Sequence, residues 1–207
     1  MKKAYFIDLD NTVYFTRPHV EVLLGPLYNL LANEDLGISA EAFEKAKLEM
    51  MRTPFQKVAK LYQFNEAAIA NAVAYLEQDE VKIPLKVHDE YHYLKALTGL
   101  KFIVTAGFEK KQRSKVKMLG IAEDFDEVFV VDATKTTGNK KDAFIEVMQK
   151  YKLHPSDVLV IGDDADSEIK FGLELGVDTF LYDPNNNFPD APTTYRSTTL
   201  KDISLIA

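Results

Sequence analysis

The feature that most limits how this chain can fold is a short run, Ala4-Tyr5-Phe6-Ile7-Asp8-Leu9, with no polar alternation until Asp8. A strand with one wet face alternates apolar and polar residues. A run that is apolar throughout is buried on both faces, as strands of a parallel sheet are. Lys101-Phe102-Ile103-Val104-Thr105, Glu127-Val128-Phe129-Val130-Val131 and Asp157-Val158-Leu159-Val160-Ile161 share this character, and Asp178-Thr179-Phe180-Leu181-Tyr182 is a weaker case. Helical patterns separate the later runs: Glu109 to Leu119, stopped by Gly120; Lys141 to Lys152, stopped before Pro155; and Ser167 to Leu175, stopped by Gly176. This alternation predicts βαβ units and a parallel sheet covered on both faces.

The stretch from about Tyr14 to Leu97 carries helical signals and almost no strand signals. The expected architecture is therefore α/β: a three-layer, Rossmann-like core from 1–13 and 98–207, interrupted by a helical subdomain over 14–97. Helices are expected within 19–34, with Gly25-Pro26 blurring that boundary, and near 39–51, 54–62, 66–78 and 86–97. Ser39 and Asn65 are N-cap candidates, and Thr53-Pro54-Phe55-Gln56 spells a capping box. The tail from Asp183 to Asp190 reads as a proline-punctuated loop, followed by a short helix near 199–206.

Composition removes several classes of function. With 25 Lys plus Arg against 32 Asp plus Glu the 207 residues carry a formal charge of −7, which disfavours general binding to nucleic acid or to anionic membranes. There is no cysteine, hence no disulfide scaffold, thiolate metal site or cysteine nucleophile. The first apolar run is cut by Asp8 and Asp10, too soon for a signal-peptide core of about 7–15 residues, and a cytoplasmic setting is expected. An anionic small molecule would need its own local counter-charge.

Asp8 and Asp10 stand two apart at the carboxyl end of the first strand, where open α/β sheets bind ligands. Two carboxylates so close repel one another unless one is protonated or a cation lies between them. A second acidic group, Gly162-Asp163-Asp164-Ala165-Asp166-Ser167-Glu168, follows another buried strand and opens a helix. Such oxygen-only ligands suit Mg²⁺. Thr105, with Ala106 and Gly107 after it, could grip phosphoryl oxygens at a helix start. Lys140 and Lys141 also open a helix, an unfavourable place for a cation unless an anion is near.

Taken together and in order, these segments resemble the haloacid dehalogenase superfamily of aspartate-nucleophile phosphohydrolases. Phe6-Ile7-Asp8-Leu9-Asp10-Asn11-Thr12-Val13 is similar to the first motif of that family, Phe102-Ile103-Val104-Thr105 to its second, Lys140 to its third and Val160-Ile161-Gly162-Asp163-Asp164 to its fourth. The resemblance implies a phosphatase in which Asp8 attacks phosphorus and Asp10 is the general acid and base. It further implies that Thr105, the Ala106 backbone, Asn11 and Lys140 contact the phosphate, and that Asp8, Asp10 and Asp163 hold Mg²⁺. Two departures from the family pattern stand out: Ala106 replaces a frequent Asn, and Glu168 replaces a later Asp. Which of Asp164, Asp166 and Glu168 supports the metal stays open, and Lys140 is preferred to Lys141 on its spacing to Ala143-Phe144.

The insertion corresponds to a helical cap, which implies a small phosphorylated metabolite, with a lean towards a nucleotide or sugar phosphate, and a monomer or homodimer. Arg17, Arg52, Lys57 and His88 are possible substrate contacts from the insertion, whereas Tyr91-His92-Tyr93 reads as helix packing. The competing readings are a phosphomutase, a dehalogenase, and a non-catalytic phospho-acceptor or phosphate-binding module.

Overall fold

The computed structural model describes residues 2–206, so positions 1 and 207 of the expected core lie outside the described residues. The apolar runs pair as their composition demands, in parallel throughout. They form β1 (Ala4–Ile7), β2 (Leu100–Ala106), β3 (Glu127–Val131), β4 (Val158–Gly162) and β5 (Asp178–Tyr182), and a sixth strand, β6 (Tyr195–Ser197), joins them. The sheet order is β3-β2-β1-β4-β5-β6. The chain thus works outward from β1 in one direction and then returns to the other side of β1. The crevice between the carboxyl ends of β1 and β4 is the topological switch point, the standard ligand position of such sheets. β6 was not expected: it pairs beside Phe180 to Tyr182, inside a tail that reads as loop and helix.

Helices α1 (Val20–Leu23), α2 (Gly25–Ala32), α3 (Ala40–Glu49), α4 (Phe55–Leu61), α5 (Glu66–Gln78) and α6 (Tyr91–Lys95) lie between β1 and β2. Leu24, at φ −124°, breaks the expected 19–34 helix just before Gly25-Pro26. Ser39 caps α3 by accepting the N–H of Ala42. The expected capping box at Thr53 does not form. Pro54 is the N-cap of α4, and the Thr53 hydroxyl instead donates to Glu49. Asn65 occupies the N-cap position of α5, but its side chain donates to the carbonyl of Asp35. The helix expected over 86–97 shrinks to α6: ahead of it the chain is drawn onto the core, with His88 N donating to the carbonyl of Val13 and the His88 ring bonding the carbonyl of Thr12. Val81 and Leu85, before this stretch, are buried as irregular chain, and Leu85 N donates to the carbonyl of Met118. No described helix is long and apolar enough to cross a membrane.

Beyond β2 come α7 (Glu109–Leu119), α8 (Lys140–Tyr151) and α9 (Lys170–Glu174), and a 3₁₀ helix over Leu200–Leu205 follows β6. Alternate residues of β1 enter different cores. Tyr5 and Ile7 pack with Tyr91 and Leu94 of α6, Val116 and Leu119 of α7, and Leu200 and Ile203; Ala4 and Phe6 pack with Ala143, Phe144 and Val147 of α8. The Phe6 ring lies 5.8 Å from that of Phe102 and 5.3 Å from that of Phe144. Burying each such ring is worth about 1.5–3 kcal/mol. A third cluster belongs to the insertion: Leu27 and Leu31 of α2, Phe55 and Val58 of α4, and Ala68, Ala72 and Leu76 of α5, joined by Phe108 from the core side. Residues 81–97, by contrast, pack in the same cluster as Tyr5 and Ile7.

Candidate active site

Because β1 and β4 are neighbours in register, the residues after them meet at one rim. Asp8 N extends the pairing by one bond, donating to the carbonyl of Ile161 at 2.9 Å, and Asp163 follows Gly162 directly. Asp8, Asp163 and Glu168 each bring a carboxylate oxygen within 4.8 Å of the others. Glu168 reaches this group on a wide turn over Ala165–Ile169 that is kinked at Ser167, interrupting the helix expected from 167. Room for it exists only because residue 162 is glycine: a Cβ there would stand 2.2 Å from Glu168 Oε1.

Lys140, buried at the start of α8, closes the group. Its Nζ donates to Asp8 Oδ1 at 2.6 Å and to Glu168 Oε2 at 2.7 Å. The two anions offset the unfavourable dipole of a helix start. Asn139 and Asp142 fix that start with a reciprocal capping box. Lys141 points elsewhere, to Glu174 at 2.9 Å. Burial, reinforced by Glu168 and Asp10, pushes the Asp8 carboxyl up to about 7 despite Lys140. Burial, with Glu168 and Asp8, likewise carries Asp163 well above the usual carboxylate range, and burial raises Asp164. Lys140 is held high: burial opposes its charge, but Asp8 and Glu168 outweigh it.

These shifts describe a site with more negative charge than its ammonium balances. The donor set, all oxygen, fits a hard divalent cation such as Mg²⁺. Both Glu168 oxygens are already engaged, Oε2 by Lys140 and Oε1 by the N–H of Asp164 at 2.8 Å. Asp8 and Asp163 are therefore the carboxylates left to meet such an ion, with Glu168 behind them. Asp164 also caps the following turn by accepting the N–H of Asp166, which is exposed.

Asp10 lines the same cleft, but its carboxylate belongs to a separate network. Lys115 Nζ donates to Oδ1 at 2.8 Å and to Oδ2 at 3.1 Å, Gln112 Nε2 donates to Oδ2 at 2.8 Å, and the Tyr14 hydroxyl donates to Oδ1. Burial would raise this carboxyl, but Lys115, Tyr14 and Gln112 hold it below its ordinary value. Gln112 also donates to the Thr105 hydroxyl at 2.6 Å and, at 3.4 Å, to the carbonyl of Ala106, tying the ends of β1 and β2 together. Gly107, at φ +149°, lets the chain turn beneath the Gln112 side chain, which a Cβ would crowd at 3.1 Å. The Asp132 carboxylate anchors the start of α7, accepting the N–H of Glu109 at 3.0 Å.

Gln112, Lys115 and Tyr14 were not anticipated. Their signal was present: Gln112 and Lys115 share the stripe of α7 that buries Val116 and Leu119.

The cleft, about 190 Å³, lies between the insertion and the sheet rim. Asn11, at φ +59°, borders it while its side chain accepts the N–H of Thr16. From the insertion, Arg52 reaches Asp163 Oδ2 at 3.3 Å, and Lys57 lines the wall. Arg17 lies in an adjoining chamber. His88 is spent on packing: it stacks 5.7 Å from Tyr182 at 8° and hydrogen-bonds the carbonyl of Thr12 at 2.7 Å. Tyr91 packs in the core and donates to Asp124 at 2.9 Å. Lys111, buried in α7, donates both to the carbonyl of Leu23 at the end of α1 and to Asp79 just after α5.

The sequence profile of the haloacid dehalogenase-like hydrolases matches residues 2–176. No curated protein matches the chain. Among solved structures, a HAD phosphatase of Thermococcus onnurineus is 22% identical, covering 100% of this chain and 97% of its own, with a TM-score of 0.69. A HAD hydrolase of Bacillus subtilis, solved bound to magnesium, is 19% identical over 99% and 98%, also at 0.69. A 2-haloacid dehalogenase of Pseudomonas syringae is 17% identical over 99% and 97%, at 0.62. At these identities the likeness is one of fold.

Proposed function

The chain belongs to the haloacid dehalogenase-like hydrolases, and on that footing we propose that it hydrolyses a small phosphomonoester through a phosphorylated Asp8. The observation that carries this reading is the buried cluster of Asp8, Asp163 and Glu168 with Lys140 folded against it. Displacing a halide from carbon needs a carboxylate nucleophile but no such concentration of anions. A phosphoryl group brings negative charge of its own, and its transfer depends on electrostatic clamping. Mg²⁺ held by Asp8 and Asp163 would supply Lewis-acid neutralisation of the phosphoryl oxygens.

In this reading an Asp8 oxygen forms a bond to phosphorus, the bond to the leaving oxygen breaks, and Asp10 gives that oxygen a proton. Asp10 rests as an anion under Lys115; the charge of an incoming phosphoryl group raises its proton affinity, and it takes up from solvent the proton that it then gives to the leaving oxygen. Asp10 then takes a proton from water, whose oxygen attacks phosphorus and releases inorganic phosphate and free Asp8. Lys140 balances the nucleophile and the phosphate. The Thr105 hydroxyl, the Ala106 backbone and Asn11 contact the phosphoryl oxygens. Within residues 14–97, helices α2 to α5 act as a cap on the core of 1–13 and 98–207, which residues 81–97 join by packing, and the cramped cleft favours a small phosphorylated metabolite.

The test is release of phosphate from p-nitrophenyl phosphate, expected to require Mg²⁺, to stop on chelation and to be abolished by Asp8→Asn. Turnover that survives Asp8→Asn, or halide release from 2-chloropropionate without any phosphatase activity, overturns the reading.

A further inference from the structure

Arg52 is a wall shared by two spaces. On one side is the cleft that holds Asp8; on the other is a chamber of about 530 Å³ lined by Arg17, Phe15 and Tyr182 as well as Arg52. Asp163 borders both. The chamber therefore adjoins the cleft of the reacting centre, with Arg52 and Asp163 at the border.

Its lining is formally neutral, Arg17 and Arg52 against Asp163 and Asp183, and the two acids are engaged elsewhere, Asp163 at the cleft and Asp183 in its own loop. The whole protein carries −7, yet two guanidinium groups face this space with little of their own to pair with. Arg17 is exposed and has no ion-pair or hydrogen-bond partner among the described residues. The Arg52 guanidinium makes one long contact, 3.3 Å to Asp163, and rests 5.5 Å over the ring of Phe188. The other acid in the wall, Asp183, is committed to the loop that carries Phe188: its oxygens accept the N–H groups of Asn187 at 2.7 Å and Phe188 at 2.8 Å. Arg52 thus sits on a braced support, and a planar fork of donors recognises carboxylate or phosphate in two-pronged fashion.

We propose that this chamber is a subsite for a second anionic group, a carboxylate or a phosphate, carried by the leaving group a few atoms from the phosphoryl group. The inference rests on the phosphatase reading and sharpens it: the substrate is a metabolite with two anionic groups, and Arg52 and Arg17 select it over phosphomonoesters whose leaving group is uncharged.

Calorimetric titration with three non-hydrolysable phosphonates in Mg²⁺ tests this. The probes are 4-phosphonobutyrate, propane-1,3-diylbisphosphonate and the uncharged-tail control pentylphosphonate. At least one doubly anionic probe is expected to bind about 10-fold or more tighter than the control, a difference of about 1.4 kcal/mol. Which of the two does so identifies the anion. Arg17→Ala and Arg52→Ala should each remove most of that advantage, and Arg52→Lys should keep part of it. Both arginines are exposed, and melting curves check that the variants fold. Equal binding of all three probes, no binding of any, or an advantage that persists in both alanine variants overturns the subsite. If the advantage is found but p-nitrophenyl phosphate is not hydrolysed, it is the phosphatase reading that fails and the subsite that stands.

Discussion

The ammonium of Lys115 sits astride the carboxylate of Asp10, 2.8 Å from one oxygen and 3.1 Å from the other, although 105 positions separate them in the chain. With Gln112 and Tyr14 it saturates both oxygens and fixes the direction in which the group faces the cleft. Replacing Lys115 by Met keeps the bulk and removes the grip. If Asp10 moves the protons, kcat on p-nitrophenyl phosphate should fall by about 10²-fold or more, the usual scale of acid–base assistance, while KM changes little. An unchanged kcat would show that Asp10 needs no such support.

Crowded carboxylates predict a stabilising ion. Since Asp8, Asp163 and Glu168 repel one another when ionised, Mg²⁺ should raise the melting temperature, by the equivalent of about 2.7 kcal/mol at 100 times its Kd. Asp163→Asn removes one of the two carboxylates free to meet the ion and should abolish most of the shift. Differential scanning calorimetry with and without chelator reads both. A shift of equal size in the variant would place the ion elsewhere.

Gly162→Ala isolates a matter of space. The added methyl would overlap Glu168 Oε1 at 2.2 Å, on a buried strand that cannot yield easily. Overpacking of this kind costs about 1–3 kcal/mol. Glu168 would be pushed off Lys140, so activity should fall along with stability. A variant with wild-type melting and turnover would mean that the rim is softer than its packing suggests.

Acid should loosen the start of α7. Burial would raise the Asp132 carboxyl, but the N–H groups of Glu109 and Thr134 and the Thr134 hydroxyl hold it below the ordinary range. A carboxyl depressed in the folded state contributes stability that is complete above its unfolded pKa of about 4 and is lost as pH falls through the lower folded value. Asp132→Asn should therefore melt below the wild type at pH 7, with the gap narrowing as the pH falls below the unfolded pKa of about 4. A gap independent of pH would refute the assignment.

How much of this was legible in the sequence depended on whether burial left a mark in residue type. Five strands announced themselves because both of their faces are covered, which demands unbroken apolar runs. Tyr195-Arg196-Ser197 gives no such sign: as the edge of the sheet it is held by pairing to β5 and by threonine contacts such as Thr194 N to Thr179 at 3.0 Å. The 86–97 stretch misled in the opposite sense: its apolar residues are spaced as in a helix, but only Tyr91–Lys95 coils, since His88 is held to the core through Thr12 and Val13. At the site, Asp8, Lys140 and Asp163 could be read because each ends or begins an element at the sheet rim. Gln112 and Lys115 lie in Glu-Lys-Lys-Gln-Arg-Ser-Lys, where residue type gives no sign that Lys111, Gln112 and Lys115 are buried; only their spacing to Val116 and Leu119 marked them, and their partner Asp10 arrives from the far end of the chain.

Lys111 joins two strands of the story that sequence order keeps apart. The insertion leaves the core near Leu23 and comes back near Asp79, and one buried ammonium grips both crossings. Both crossings between the helical lobe and the core are thus fastened to the same side chain of α7, so the lobe is tied to the helix that also carries Gln112 and Lys115, the two residues that hold Asp10.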